Sequence, residues 1–126
     1  MSEKPTIYNF EERTFQFSKR IIALVEALDR HEINRVLISQ CVRSGTSVGA
    51  NYREANDALG DKDFLHRLKI ARKESKETTY WLQLIQVYNR SIGNRMHNII
   101  DESEQLTKIL SSMIQKRERI HKKKGK

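Results

Sequence analysis

The spacing of the apolar side chains constrains this fold most, because they recur every three or four residues through four long stretches of the sequence. That period matches the 3.6 residues per turn of an α-helix, so each stretch predicts a helix with one apolar face. The predicted helices cover about residues 9–29, 33–59 and 62–90, and a fourth begins near residue 94 and runs into the basic C-terminal residues. A single proline and many residues that lose little side-chain freedom in a helix favour helices over strands.

Short connections constrain how the predicted helices pack. Only two to five residues separate one helix from the next, so consecutive helices are expected to lie antiparallel. The prediction is an all-α fold, an antiparallel up-down-up-down four-helix bundle. We assign residues 1–115 to this bundle domain and residues 116–126 to a basic C-terminal tail.

Local signals mark helix ends and one close helix contact. Asn9 with Glu12 has the spacing of a capping box, and Gly60 predicts a left-handed stop after the second helix. Gly45 and Gly49 lie inside the second helix, where each costs about 1 kcal/mol relative to alanine. We interpret them as a small-residue surface that another helix approaches closely. A phosphate-binding loop would need a preceding strand and a following Gly-Lys-Ser/Thr, which are missing.

The third helix has three different faces when its residues are plotted at 100° per residue. The core face contains Phe64, Leu68, Ala71, Ser75, Thr78, Leu82 and Ile85. A second apolar stripe exceeds what a four-helix core needs and predicts an oligomer interface formed by Ile70, Trp81, Leu84 and Tyr88. The third face is basic, without a carboxylate, and carries Lys62, Lys69, Arg72, Lys73, Lys76 and Arg90, with Tyr80 among them.

The formal net charge of +8 is concentrated near the C-terminus, where residues 116–126 hold seven cations and one carboxylate. A solubilising terminus and a phosphate-binding segment both explain such a tail. Together with the basic face of the third helix, Lys122, Lys123 and Lys124 predict a nucleic-acid-binding surface.

Charged residues also lie on the facing flanks of the second and third helices. Arg43 and Glu54 share one flank of the second helix, and Glu74 and Glu77 occupy the corresponding flank of the third. One arginine among several carboxylates predicts a structural ion-pair network, either between helices or between subunits.

No residue pattern predicts catalysis, a metal site or a cofactor. Cys41 falls on the core face of the second helix, where burial makes a thiol inert. Glu118 with His121, and Asp63 with His66, approach the Glu-x-x-His spacing of metal-binding bundles, but these pairs cannot face each other at mid-bundle in the predicted topology. We therefore predict a protein that is not an enzyme and binds neither metal nor cofactor.

Export and membrane insertion are not predicted. The first ten residues contain no apolar run, and the longest runs elsewhere, such as residues 21–25, are far shorter than the roughly 20 residues that cross a bilayer. One cysteine cannot form an internal disulfide. We expect a cytoplasmic protein with no membrane partner.

Residues 43–55 read Arg-Ser-Gly-Thr-Ser-Val-Gly-Ala-Asn-Tyr-Arg-Glu-Ala, and Lys-Asp-Phe at 62–64, Ile-Ala-Arg-Lys-Glu-Ser-Lys-Glu-Thr at 70–78 and Tyr-Trp-Leu at 80–82 follow. This pattern resembles the four-helix-bundle proteins encoded within intervening sequences of bacterial 23S rRNA genes, over about residues 10–115. Tyr52, Arg53 and Ser75 depart from it. The resemblance implies a homo-oligomer, typically a five-membered ring. That family is similar in fold to the accessory variability protein of diversity-generating retroelements, which binds nucleic acid and a reverse transcriptase.

Two functions are compatible with these features. The first is a non-catalytic homo-oligomer, a pentamer by resemblance, that binds nucleic acid, RNA in preference to DNA, through the basic helix face and the tail. The alternative is a protein-interaction scaffold or an accessory subunit of a nucleic-acid enzyme such as a reverse transcriptase. Its basic surface would dock an acidic protein partner.

Overall fold

The structure, a computed structural model, describes residues 9–124. Its helices, in chain order, are α1 (Phe10–Glu26), α2 (Glu32–Asn56), α3 (Asp61–Tyr88), a short 3-10 helix (Arg90–Arg95) and α4 (His97–Lys124). Since residues 9–124 contain no strand, the prediction of an all-α fold is confirmed. Helix α4 continues through the predicted boundary at residue 115, and the domain division stays a prediction.

The helix ends differ in detail from the sequence prediction. The predicted capping box is wrong, because no side-chain capping bond forms at the start of α1 and the Glu12 carboxylate accepts a hydrogen bond from Gln16 instead. The His31 side chain caps α2 by accepting the backbone N–H of Asn34 at 3.2 Å. Gly60 has the predicted positive φ, +103°, but it directly precedes α3 rather than ending α2.

Contacts between neighbouring helices run in opposite sequence order, as antiparallel packing requires. Between α1 and α2, Ile21 lies against Gly45 and Thr14 against Gly49. Between α2 and α3, Asn34 and Asn89 exchange side-chain hydrogen bonds of 2.8 and 3.0 Å, and Thr78 donates to Ser44 at 2.9 Å. Between α3 and α4, Ser75 bonds Thr107 and Thr79 bonds Ser103.

The core lies where the apolar faces meet, and its largest fully buried side chains include Phe10, Phe17, Ile21, Leu68 and Leu82. Ser44, Ser75, Thr78 and Ser103 are also fully buried. Each of these hydroxyls takes part in a hydrogen bond, and no buried side-chain polar atom within the described residues lacks a partner. These bonds offset the desolvation cost of the hydroxyls, so polar positions at helical spacing belong to the core.

One partly buried ion pair joins α1 to α4. The Arg13 guanidinium donates two 2.8 Å hydrogen bonds to the Glu102 carboxylate and a third, 2.9 Å, to Gln105. The hydrogen bonding of the Arg13 guanidinium to the Glu102 carboxylate raises the pKa of Arg13. Sequence reasoning missed this pair, because the two residues are 89 positions apart and no local pattern connects them.

Candidate nucleic-acid interface and oligomer face

Four lysines predicted to contact nucleic acid line the solvent side of α3. Lys62, Lys69, Lys73 and Lys76 are all exposed, and we refer to them as the α3 basic strip. Lys62, Lys73 and Lys76 form no ion pair within the described residues. Tyr80, 55% exposed, continues the strip on the same side of the helix. An aromatic ring beside unpaired cations is the combination that single-stranded nucleic acid binds.

The structure places the remaining predicted cations differently. Lys69 Nζ lies 3.1 Å from the Glu118 carboxylate, so packing of α4 brings a carboxylate to a strip that has none within α3 itself. Arg72 is half-buried, and its guanidinium lies 3.5 Å from the Ser111 hydroxyl. Arg90 lies in the 3-10 helix beyond the end of α3 and is exposed.

The C-terminal cations extend the basic surface along α4. Lys122 and Lys123 are exposed in the last turns of α4, and the side chain of Lys124 lies outside the described part of the chain. Lys108 of α4 lines a groove of about 420 Å³ together with Lys76 and Glu104. Sequence reasoning missed Lys108, because only the antiparallel register of α3 and α4 brings it beside Lys76.

Part of the predicted oligomer interface packs against the core of the same chain. Trp81 and Leu84 are half-buried against the chain's own core, and Ile70 is half-buried as well, whereas Tyr88 is 64% exposed. The register set by Asn34 with Asn89 and Ser44 with Thr78 brings two exposed α2 residues to this end of α3. The resulting surface, which we refer to as the α2–α3 apolar face, comprises Ile33, Val36, Trp81, Leu84 and Tyr88.

Ion pairs border the α2–α3 apolar face. The Arg43 guanidinium contacts Glu74 at 3.2 Å and also contacts Glu77, and the Trp81 indole N–H donates to Glu77 at 3.1 Å. Glu54, the fourth predicted member of this network, is exposed and forms no ion pair within the described residues. Arg43 is itself 47% exposed, so the network joins α2 to α3 at the surface.

The residues that could carry chemistry are occupied in other ways. Among the described residues, no group of three His, Cys, Asp or Glu side chains could hold a metal ion. Within the near-motifs, Glu118 pairs with Lys69, His121 lies 3.4 Å from Asp61, and Asp63 lies 3.9 Å from Arg67. Cys41 is fully buried, and burial raises the pKa of its thiol to about 12.

We expect Cys41 to react with a thiol-specific reagent at pH 8 at least about tenfold more slowly in the native protein than in urea, because the thiolate is the nucleophile. The raised pKa also makes the free energy of unfolding depend on pH. Its contribution is fully present below pH 9, the ordinary thiol value, and is lost as pH rises toward 12, because only the unfolded thiol ionises readily in that range. Absorbance of the released chromophore measures the rate, with Cys41→Ala as the blank. Equal rates in the two states would contradict the burial.

Known proteins that resemble this chain share its helical fold. Residues 8–112 match the family model described as 23S rRNA-intervening sequence protein. A crystal structure of a protein of unknown function from the S23 ribosomal protein family of Bacteroides thetaiotaomicron is 36% identical, with a TM-score of 0.76. The match covers 82% of this chain and 96% of that one. No curated protein matches the sequence. Along the described part of the chain, no helix combines the length and apolar character of a membrane span.

Proposed function

The chain belongs to the 23S rRNA-intervening sequence protein family, and on that premise we propose that it is a cytoplasmic, non-catalytic homo-oligomer that binds nucleic acid, RNA in preference to DNA. The α3 basic strip and the C-terminal half of α4 form the binding surface. The observation that carries this proposal is the row of exposed lysines on α3, of which Lys62, Lys73 and Lys76 have no ion pair within the described residues. Such cations attract phosphates without reading sequence.

Two further features support a nucleic-acid ligand over an arbitrary anion. The strip is extended by Lys122 and Lys123 on α4, because Lys69 with Glu118 and Arg117 with Asp61 hold the end of α4 alongside the start of α3. Tyr80 offers an exposed ring within the cationic row. A row of this length suits a polymer of phosphates, since each added contact contributes separately.

Titration of labelled, structured RNA tests the proposal. We expect micromolar binding at low salt, with an affinity that falls about 1,000-fold between about 50 mM and about 200 mM salt, because the release of counterions from five or six phosphate contacts is less favourable at higher salt. The slope of log affinity against log salt is the diagnostic quantity, measured by fluorescence anisotropy. Absence of binding at micromolar protein in low salt, or binding that ignores salt, would sink the proposal.

Self-association is proposed through the α2–α3 apolar face, with five subunits as the family resemblance implies. Support comes from Ile33, Val36 and Tyr88, which are each more than half exposed on adjoining turns of α2 and α3. Apolar side chains grouped in this way gain free energy when a second copy covers them. Several copies of the α3 basic strip on one assembly would strengthen weak phosphate contacts by avidity.

Leu84→Asp and Tyr88→Asp are expected to lower the assembled mass measured by light scattering while helicity is retained, because a carboxylate at the interface would lose its hydration. Tyr88 is the cleaner site, since Leu84 also packs against the core. Val87→Asp is the matched control, being a neighbouring residue of similar exposure, 60%, on another side of α3. A wild-type mass of one 14.9 kDa chain would reject the assembly.

A further inference from the structure

A pocket at one end of the bundle combines an apolar floor with a cationic rim. It has a volume of about 380 Å³ and lies between the end of α2, the start of α3 and the last turns of α4. Tyr52, Phe64, Met113 and Ile120 supply apolar surface, and Lys116, Arg117 and Arg119 supply the cations. Among the described residues that line it there is no carboxylate.

Tyr52 contributes a nearly buried aromatic ring and a hydroxyl to this pocket. Tyr52 is 9% exposed, with its ring edge-on to Phe10 at 4.8 Å between centroids. Its hydroxyl makes no hydrogen bond within the described residues, yet it is not sealed from solvent, since no fully buried polar atom there is left unbonded. Because Tyr52 lines the pocket, a ligand in the pocket can supply the missing bond.

Arg117 is held at the edge of the pocket by two contacts. Its guanidinium lies over the Phe64 ring, 4.5 Å from the ring centroid, and pairs with Asp61 at 2.9 Å, while 37% of the side chain remains exposed. Lys116 and Arg119 are exposed and form no ion pair within the described residues. A guanidinium beside an aromatic ring, together with free cations, is the combination with which proteins bind an unpaired base and its phosphate.

We propose that this pocket binds one unpaired base of a single-stranded nucleic acid, with the flanking phosphates on Lys116 and Arg119. The inference rests on the proposed function and refines it. An apolar ligand would not require three cations, and a bare phosphate would not require the apolar floor. The volume is within the range of about 300–1,000 Å³ typical of sites for small organic groups. Lys62 and Lys122 lie at the same end of the bundle, so the α3 basic strip leads the strand to the pocket.

The test compares two labelled probes of about 12 units, an oligoadenylate RNA and an abasic ribose-phosphate oligomer of equal charge. The full-length wild type is expected to bind the RNA about tenfold more tightly than the abasic oligomer. Phe64→Leu, which keeps the apolar packing, should reduce this preference to about threefold or less without changing abasic binding. Tyr52→Phe removes one oxygen and should weaken RNA binding by a few-fold.

Phe15→Leu is the matched control, because Phe15 is a 46% exposed ring beside Lys19 and Arg53 on a different part of the surface. It should leave the preference unchanged. If the wild type binds structured RNA at low salt but neither probe, the pocket inference fails alone. If it binds neither the structured RNA nor the probes, the proposed function fails as well. If it binds both equally, or if Phe64→Leu and Tyr52→Phe retain the full preference, the pocket inference is overturned while the proposed function stands. Displacement of the RNA by polyglutamate in a Phe64-dependent manner would also overturn it, in favour of an acidic peptide.

Discussion

Reversal of Lys62, Lys73 and Lys76 to glutamate is expected to weaken RNA binding by at least about 100-fold, the largest functional effect that we expect from a surface change. Each reversal removes a phosphate contact and adds repulsion at the same position. The plot of log affinity against log salt should also become less steep, with the magnitude of its negative slope reduced by roughly three, about one for each lost contact. Fluorescence anisotropy across a salt series measures both quantities. Circular dichroism should be unchanged, since the three side chains are exposed and form no ion pair within the described residues.

A second triple variant distinguishes the effect of net charge from the effect of the α3 basic strip. Lys19, Arg20 and Arg30 are exposed, lie on α1 and the loop after it, and form no ion pair within the described residues. Their reversal also brings the formal charge from +8 to +2, because each substitution removes two charge units. We expect this control to lose less than about tenfold in affinity.

Equal losses in the two triple variants would show that general attraction, rather than the α3 basic strip, holds the RNA. A different outcome would favour the accessory-subunit alternative. In that case the strip variant would keep its RNA affinity but lose binding to an acidic protein partner. The same row of lysines would suit either function, since exposed cations attract carboxylates as well as phosphates, and only the ligand comparison distinguishes the two.

Gly49→Val should destabilise the fold by roughly 2–3 kcal/mol, the largest stability loss that we expect from a single added side chain. A Cβ at Gly49 would lie 3.0 Å from the Thr14 hydroxyl oxygen and 3.2 Å from the Thr14 Cβ, on a fully buried residue of α1. The two further methyl groups of valine would force α1 away from α2. Removing a glycine from a helix gains at most about 1 kcal/mol, so steric crowding decides the sign.

Thermal unfolding at one fixed protein concentration measures this effect, because assembly raises the apparent stability by mass action. Ala50→Val is the matched control, since it introduces the same side chain at the next, exposed position of α2. It should change the free energy of unfolding by no more than about 0.6 kcal/mol, the helix-propensity difference. If Gly49→Val is as stable as Ala50→Val, close packing does not explain the glycines.

Prediction from sequence succeeded where the determining interactions are local. The helix positions, the core faces that contain Ser75 and Thr78, and the burial of Cys41 were all predicted from the helical period alone. The spacing of Gly45 and Gly49 likewise predicted close packing, and the structure places α1 against both glycines. The prediction of where α3 ends was less accurate. Residues 90–95 form a 3-10 helix, which no periodic pattern distinguishes from the start of α4.

The sequence by itself determined the central core face of each helix, since a helix repeats every 3.6 residues wherever it packs, but not how far the core extends to flanking residues such as Trp81 and Leu84. Only the tertiary structure decided which of the helix faces meet. The register between α3 and α4 pairs Lys69 with Glu118 and places Arg117 over the Phe64 ring, and the register between α2 and α3 pairs Asn34 with Asn89. Registers depend on the fit of whole side-chain surfaces, which is a property of the packed bundle and not of any one segment.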